Sequence, residues 1–322
     1  MTLSSLDLKL GFKCNNNCLS CPQAQNRHLG DLSTDEVKFF LGEGRKRGSD
    51  QVVLTGGEPT VREDILEIIE FAKSIGYKDV QLQSNGRMFC YKEFCEKIIE
   101  AGAGSFMLGI HGPEAKVHDF LTRSPGAFEQ AIQGVKNLKE LGQPVSINSV
   151  VNKINYKRLP ETAELFAGLK VKQLQFAFIH CVGNALEKID LLLPKKSEVM
   201  PFMHKALDIG IKAGLLMRVE AYPFCFLKGY EKYSSELYMP YKEVRNKARF
   251  WEDFRKIQWS AKRKGPQCSE CKYDLVCPGP WVEYTNKFGF KELKPVQGKK
   301  AGNAKEIIGR ADERGGEQEL HP

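Results

Sequence analysis

The chain has 322 residues, 42% of them hydrophobic and 27% charged, which are ordinary proportions for a protein that buries a full core. Its net charge of +8 could attract an acidic peptide or a nucleotide. It does not favour nucleic acid as a partner, because the surplus collects in 241–265, where nine Lys/Arg stand against three Asp/Glu and read as a solvated face. No stretch reaches the roughly 20 apolar residues of a membrane span, and Met1-Thr-Leu-Ser-Ser lacks a signal-peptide pattern, so a cytoplasmic location is expected. There, ten cysteines point to metal ligation or catalysis rather than disulfides.

In chain order, LDLKLGFK (6–13) reads as a strand and DEVKFFLGEGRKRG (35–48) as a helix capped by Ser33 or Thr34. QVVLT (51–55) is a short buried strand, and REDILEIIEFAKSIG (62–76) an amphipathic helix closed by Gly76. Strand 79–84, helix 92–102, strand 105–111, helix 126–142, strand 144–151, helix 156–169 and strand 171–179 follow, and a helix near 197–213 completes a sixth round. Such alternation requires a parallel sheet with helices outside it. The predicted fold is α/β, a partial (β/α)6 TIM-like barrel over 1–214, with its chemistry at the C-terminal strand ends. A small cysteine-rich module is expected over 215–297. The Gly-rich tail 298–322 balances its charges, lacks an apolar period and is expected to be disordered.

Cys14, Cys18 and Cys21 lie in CNNNCLSC, directly after the first strand. Three thiolates can hold three irons of a [4Fe–4S] cluster and leave the fourth iron open. A structural zinc, with His28 as fourth ligand, is the alternative that the spacing leaves standing.

The C-x3-C-x2-C spacing in this position resembles the radical S-adenosylmethionine (SAM) superfamily. The resemblance implies that the open iron chelates the amino and carboxylate groups of SAM. Reduction then yields an adenosyl radical that takes hydrogen from the substrate. Gly56, Gly57, Glu58 and Pro59 after the second strand resemble the family's GGEP motif, in which glycines admit a ligand to the backbone and a carboxylate pairs with its ammonium. Ser84-Asn85-Gly86, Asn148 in SINSVV and the Gly183-Asn184-Ala185 turn are similar to segments that line SAM in that family. The resemblance covers about residues 6–190, and a reductant such as ferredoxin or flavodoxin is the implied partner.

Cys268, Cys271 and Cys277, spaced C-x2-C-x5-C, resemble part of the SPASM motif that binds auxiliary clusters. Trp281 stands where a further cysteine is expected, so a shortened, twitch-like module with one auxiliary [4Fe–4S] cluster is implied, Cys225 supplying its fourth ligand. Four-cysteine zinc remains the alternative there. Cys90 and Cys95 read as small hydrophobes. Cys181, just past the sixth strand, is a candidate hydrogen donor or substrate contact. His111 is a candidate substrate ligand, with Asp119 expected to face the same cavity.

SPASM-like modules accompany peptide maturases, which favours a ribosomal peptide or protein side chain as substrate. A tetrapyrrole, nucleotide or other small cofactor precursor is the runner-up, supported by the lack of a docking domain before the first strand. A non-catalytic zinc or electron-transfer protein is the third reading.

Overall fold

The computed structural model describes residues 4–238, 242–246 and 249–309. Strand β1 (Ser4–Gly11) leads through the cysteine loop to α1 (Thr34–Lys46), then β2 (Ser49–Gly56), α2 (Ile65–Ser74), β3 (Asp79–Ser84), α3 (Lys92–Glu100) and β4 (Ser105–Gly109). Helices α4 (Ala115–Thr122) and α5 (Ala127–Glu140) precede β5 (Val145–Val151), α6 (Leu159–Gly168) and β6 (Gln173–Phe178). The short α7 (Asn184–Glu187) and α8 (Ile189–Leu192) lead to α9 (Lys196–Lys212) and β7 (Leu216–Glu220). Beyond these lie β8 (Lys242–Asn246), β9 (Arg249–Asp253), α10 (Phe254–Ser260), α11 (Val282–Phe288) and α12 (Lys305–Ile308).

Among the described residues the strands make one sheet, ordered β7-β6-β5-β4-β3-β2-β1-β8-β9 and parallel except between β8 and β9. Its architecture fits a partial TIM-like barrel. Local sequence accounts for the elements. Ser33 caps α1 through a capping box with Glu36. Alternate residues of each inner strand are buried against the helices, among them Val80, Leu82, Phe106, Leu108, Ile147, Leu174 and Phe176. Burying each such side chain contributes about 1.5–3 kcal/mol. The opposite face carries Gln81, Gln83, Asn148, Gln175, Arg218 and Glu220, all partly accessible, so the inner surface of the sheet is polar.

Three expectations change. The alternation does not stop near 215: β7 pairs with β6, and β8 adds a parallel strand beside β1. The boundary expected at 214 therefore falls between a helix and the next strand of the same sheet. The basic stretch 241–265 is not simply a solvated face, since Glu243, Val244 and Arg245 are buried and Glu243 pairs with Arg47 at 2.8 Å. Part of 298–309 packs on the rest of the chain instead of being disordered: Ala301 is buried and its amide donates to the Lys272 carbonyl, while α12 packs near 231–233. The remainder of that tail, 310–322, lies outside the described residues. No described helix is long and apolar enough to cross a membrane.

The C-terminal part is fastened to the barrel by buried charge. Lys262 Nζ lies 2.8 Å from Glu236 Oε1, with side-chain exposures of 0% and 4%. Glu236 also accepts from the Ala221 amide and the Ser234 hydroxyl. Burial opposes the charge on Glu236, but Lys262 and these donors hold its carboxyl below the usual range. Lys196 is fully buried, bonded to the Ala221 carbonyl and surrounded by Phe178, Tyr222 and Tyr284. A carboxylate left alone at such a depth is far costlier than a removed pair. Lys262→Met should cost about 3–5 kcal/mol in denaturant unfolding, and the Lys262→Met/Glu236→Gln double variant should recover much of it. Equal losses in the two would show that packing, not charge pairing, fastens this junction.

Candidate functional site

The backbone at the end of β1 and β2 shapes the first cysteine loop. Parallel pairing runs past the strands: the Gly57 amide donates to the Gly11 carbonyl at 2.8 Å, and the Glu58 amide to that of Lys13 at 2.8 Å. A β-carbon on Gly57 would collide with the Lys13 carbonyl, and one on Gly56, at φ 125°, with that of Gly11. Both glycines are therefore required by close approach to the loop. Asp31 Oδ1 accepts from the Phe12 and Lys13 amides at 2.8 and 3.2 Å, clamping the chain just before Cys14.

Glu58 is buried, and its carboxylate is largely occupied. Oε1 accepts from the Thr60 amide and hydroxyl and from the Ser84 hydroxyl, while Oε2 accepts from the Asn85 amide at 2.6 Å. Burial nevertheless raises its pKa, the donors opposing that shift. Glu58 thus joins the end of β2 to the Ser84-Asn85-Gly86 turn, and Oε2 is the oxygen with capacity for a ligand's ammonium. Pro59 opens the next turn and is buried. Asn85 Nδ2 in turn donates to Asn15 at 2.6 Å and stands 4.0 Å from Cys14 Sγ.

The rest of the loop is held from three sides. Arg87 donates to the Asn15 carbonyl and the Asn16 side chain at 2.6 and 2.9 Å. The Asn17 and Leu19 amides donate to the carbonyls of Thr122 and Leu121 at the end of α4. Asn184 donates through its amide to the Cys21 carbonyl at 3.2 Å and through Nδ2 to that of Cys18 at 2.9 Å. Gly183 permits this approach, since a β-carbon there would strike the Cys21 carbonyl. Burial pushes the Cys18 thiol up to about 12, with Cys21 and Cys14 adding to the shift, and burial also raises Cys14. Asn148 lies on the polar inner face, 3.5 Å from Gln175 Nε2.

The second set gathers as well. Cys225, Cys268, Cys271 and Cys277 line one small cavity together with Pro223, Tyr273 and Leu293. Burial is the largest influence on Cys225 and Cys277, raising them to about 12 and about 11. Backbone amides oppose it: that of Lys294 acts on Cys225, and those of Phe224 and Gly279 on Cys277. The Val296 amide donates to Cys271 Sγ at 3.3 Å. Amide donors to sulfur suit thiolate ligands of a metal centre. Among the described residues no three His, Cys, Asp or Glu side chains close on one point as a single ion requires, His28 included.

Other candidates take structural roles. Cys181 is 1% exposed within the core, and burial pushes its thiol to about 12, which keeps it protonated. Asp119 does not face the cavity expected for it: it accepts from the Gly126 and Phe128 amides at 2.7 and 2.8 Å and closes the turn into α5. His111 Nδ1 accepts from the Val150 amide at 3.3 Å, and His118 Nδ1 from the His111 amide at 3.0 Å. Burial lowers His111 to about 3 and His118 to about 4, so both rings are neutral at pH 7 and tie β4 to β5 and α4. Cys95 is buried, and Trp281 stacks on His180 with ring centroids 3.9 Å apart while donating to the Phe178 carbonyl. Of the residues that hold the loop, Asp31 and Arg87 escaped sequence reasoning. Arg87 had one signal, its place directly after the Asn-Gly turn; Asp31 had none.

Residues 8–166 match the radical SAM superfamily. Over 308 residues the chain is 28% identical to an AdoMet-dependent heme synthase of Methanosarcina barkeri, covering 83% of this chain and 87% of that protein. A probable GTP 3',8-cyclase of Saccharolobus solfataricus is 32% identical over 185 residues, 56% of this chain and 58% of the cyclase. The crystal structure of Streptococcus suis SuiB bound to S-adenosylmethionine shares the fold, with a TM-score of 0.63 at 16% identity over 92% of this chain and 76% of that one. A [4Fe–4S] cluster and SAM are the cofactors of this family. With the matched family and these likenesses, the chain belongs to the radical SAM superfamily and is an enzyme of that class.

Proposed function

We propose that the chain cleaves SAM reductively and takes hydrogen from a substrate held on the polar inner face of its sheet. In this reading Cys14, Cys18 and Cys21 hold the SAM-binding cluster, and Cys225, Cys268, Cys271 and Cys277 a second [4Fe–4S] cluster. What carries it is the convergence of β2, β3, α4 and α7 on the Cys14–Cys21 backbone, which fixes three thiols at the strand ends. When bound, cluster and SAM together supply one-electron cleavage of the sulfonium and hydrogen-atom abstraction. The protein's part is to position. Gly56 and Gly57 leave the backbone open beside the loop, Glu58 Oε2 and Asn85 offer polar contacts to the amino-acid end of SAM, and Gly183 brings the β6 turn against the loop.

For the substrate, we infer a tetrapyrrole-type cofactor precursor. The heme synthase likeness supports this, because it extends over both the barrel and the C-terminal part, whereas the cyclase likeness spans 185 residues. A ribosomal peptide is the second reading, since a structure of SuiB bound to precursor peptide SuiA shares the fold over 92% of the chain. Incubating the reduced enzyme with SAM and either an iron-coproporphyrin or a candidate precursor peptide separates the two. The tetrapyrrole should raise 5′-deoxyadenosine yield severalfold; stimulation by the peptide alone would reverse the assignment.

Anaerobic reconstitution tests the ligand sets. About eight irons per chain are expected, falling to about four with no 5′-deoxyadenosine in a Cys14/Cys18/Cys21→Ala variant. A wild-type chain that loads about four irons and one zinc would remove the second cluster from the reading. Gly57→Ala should lose the first cluster's iron and keep the second's, because the added methyl displaces the Lys13 carbonyl; full loading of both would contradict the packing argument.

A further inference from the structure

We propose that Lys196 is the buried counter-charge of the centre held by Cys225, Cys268, Cys271 and Cys277, and that it sets the reduction potential of that centre. This rests on the reading that the four cysteines hold a [4Fe–4S] cluster. Lys196 opens α9, and its side chain is completely buried. Its ammonium donates to the Ala221 carbonyl at 2.8 Å and has no carboxylate within ion-pair reach among the described residues. Rings make up the rest of its surroundings: the centroids of Phe178, Tyr222 and Tyr284 lie 3.0, 4.7 and 5.0 Å from Nζ. Ring faces attract a cation but do not neutralise it.

A lysine at such depth is ordinarily paired or neutral. The neighbouring buried ammonium follows that rule, since Lys262 lies against Glu236. What Lys196 has beside it instead is the four-thiol cavity. Its acceptor Ala221 stands four residues before Cys225, and Tyr222, whose ring it faces, stands three before. Ala221 is held at φ 63°, in the left-handed region that a non-glycine residue seldom occupies. Its carbonyl is bonded to Lys196 and its amide to Glu236, so two buried charged side chains fix the turn that leads into Cys225. On the other ligand segment, Lys262 lies 4.5 Å from the ring of Trp281, four residues after Cys277.

These groups are close enough to act on one another. Burial drives the Lys196 pKa well down and Lys262 adds to that, while Glu236, Glu292 and Cys225 oppose it. Glu236 in turn raises Cys277. The junction therefore sets two ammoniums and one buried carboxylate against the cavity. Four thiolates outweigh the charge of an oxidised [4Fe–4S] core, which leaves a loaded centre anionic, and an added electron makes it more so. A buried ammonium nearby offsets that charge and favours the reduced state.

The test is a redox titration of the second cluster, followed by electron paramagnetic resonance in the full-length Cys14/Cys18/Cys21→Ala parent so that the first cluster does not contribute. Lys196→Met and Lys196→Gln both remove the charge, and the glutamine keeps a donor for the Ala221 carbonyl. Each should lower the equilibrium constant for one-electron reduction about tenfold, a shift of about 59 mV to more negative potential. Lys196→Arg keeps the charge and should stay within about twofold of the parent. So should Lys262→Met/Glu236→Gln, which removes one charge of each sign from the same junction. A change below about twofold in both neutral Lys196 variants would overturn the proposal. Equal shifts in all four variants would overturn it too, because they would report disturbed packing rather than charge. Should the neutral Lys196 variants fail to load iron, Glu236→Gln decides by its sign. Loss of that buried negative charge should raise the potential, and a fall or no change would overturn the proposal. A parent that binds zinc in place of about four irons would sink the cluster reading itself, a different failure from a potential that does not move.

Discussion

The pairing of two strand ends controls this site. Where β1 and β2 finish, the ladder continues through Gly57 to Gly11 and through Glu58 to Lys13, so the first residues of the cysteine loop are laid down as an extension of the sheet. That extension exists because positions 56 and 57 carry no side chains to strike the opposing carbonyls. A loop set by backbone pairing has little conformational freedom to lose on binding a cofactor, which keeps three partly buried thiols from dispersing. The remaining ties from Asn85, Arg87, Leu121, Thr122 and Asn184 act on a segment whose direction is already fixed.

Glu58 shows how one residue can serve the scaffold and still remain available to chemistry. Its Oε1 takes three donors and is consumed in joining β2 to β3, whereas Oε2 takes one. Burial favours the neutral acid, and the donors favour the carboxylate. A positively charged group arriving at Oε2 would tip that balance toward the anion and gain a charge-assisted hydrogen bond.

Much of this was legible in the sequence. The alternation of period-2 and helical patterns gave the parallel sheet through β6, and CNNNCLSC followed by TGGEP marked the loop that the structure builds. What was not legible depends on long-range contact. LMRVE is too short and too polar on one face to declare itself as β7, yet Met217 and Val219 are buried once β6 lies beside it. β8 hides in a basic run, because the burial of Glu243 is made tolerable by Arg47, 196 residues earlier. Asp31 clamps the loop from a position with no motif around it. His111 and Cys181 drew attention by lying past strand ends, but residue type and topology alone could not show that burial would keep the His111 ring neutral and the Cys181 thiol protonated.

On the proposed reading, the two cysteine sets differ in a way that separates their tasks. The first supplies three thiols on a loop whose neighbours include polar groups with hydrogen-bonding capacity, so a fourth coordination position is left to a ligand. The second supplies four thiols around a small cavity, with backbone amides directed at the sulfurs. A four-iron group held by four thiolates has no open iron, so it could exchange electrons but could not bind substrate directly. The position of Trp281 agrees with that division. Instead of offering a further thiol, it stacks on His180 at the end of β6 and lies under the Lys262 ammonium. The module's spare position is thereby spent on holding it against the barrel, and a fixed separation between two redox groups is what electron exchange requires.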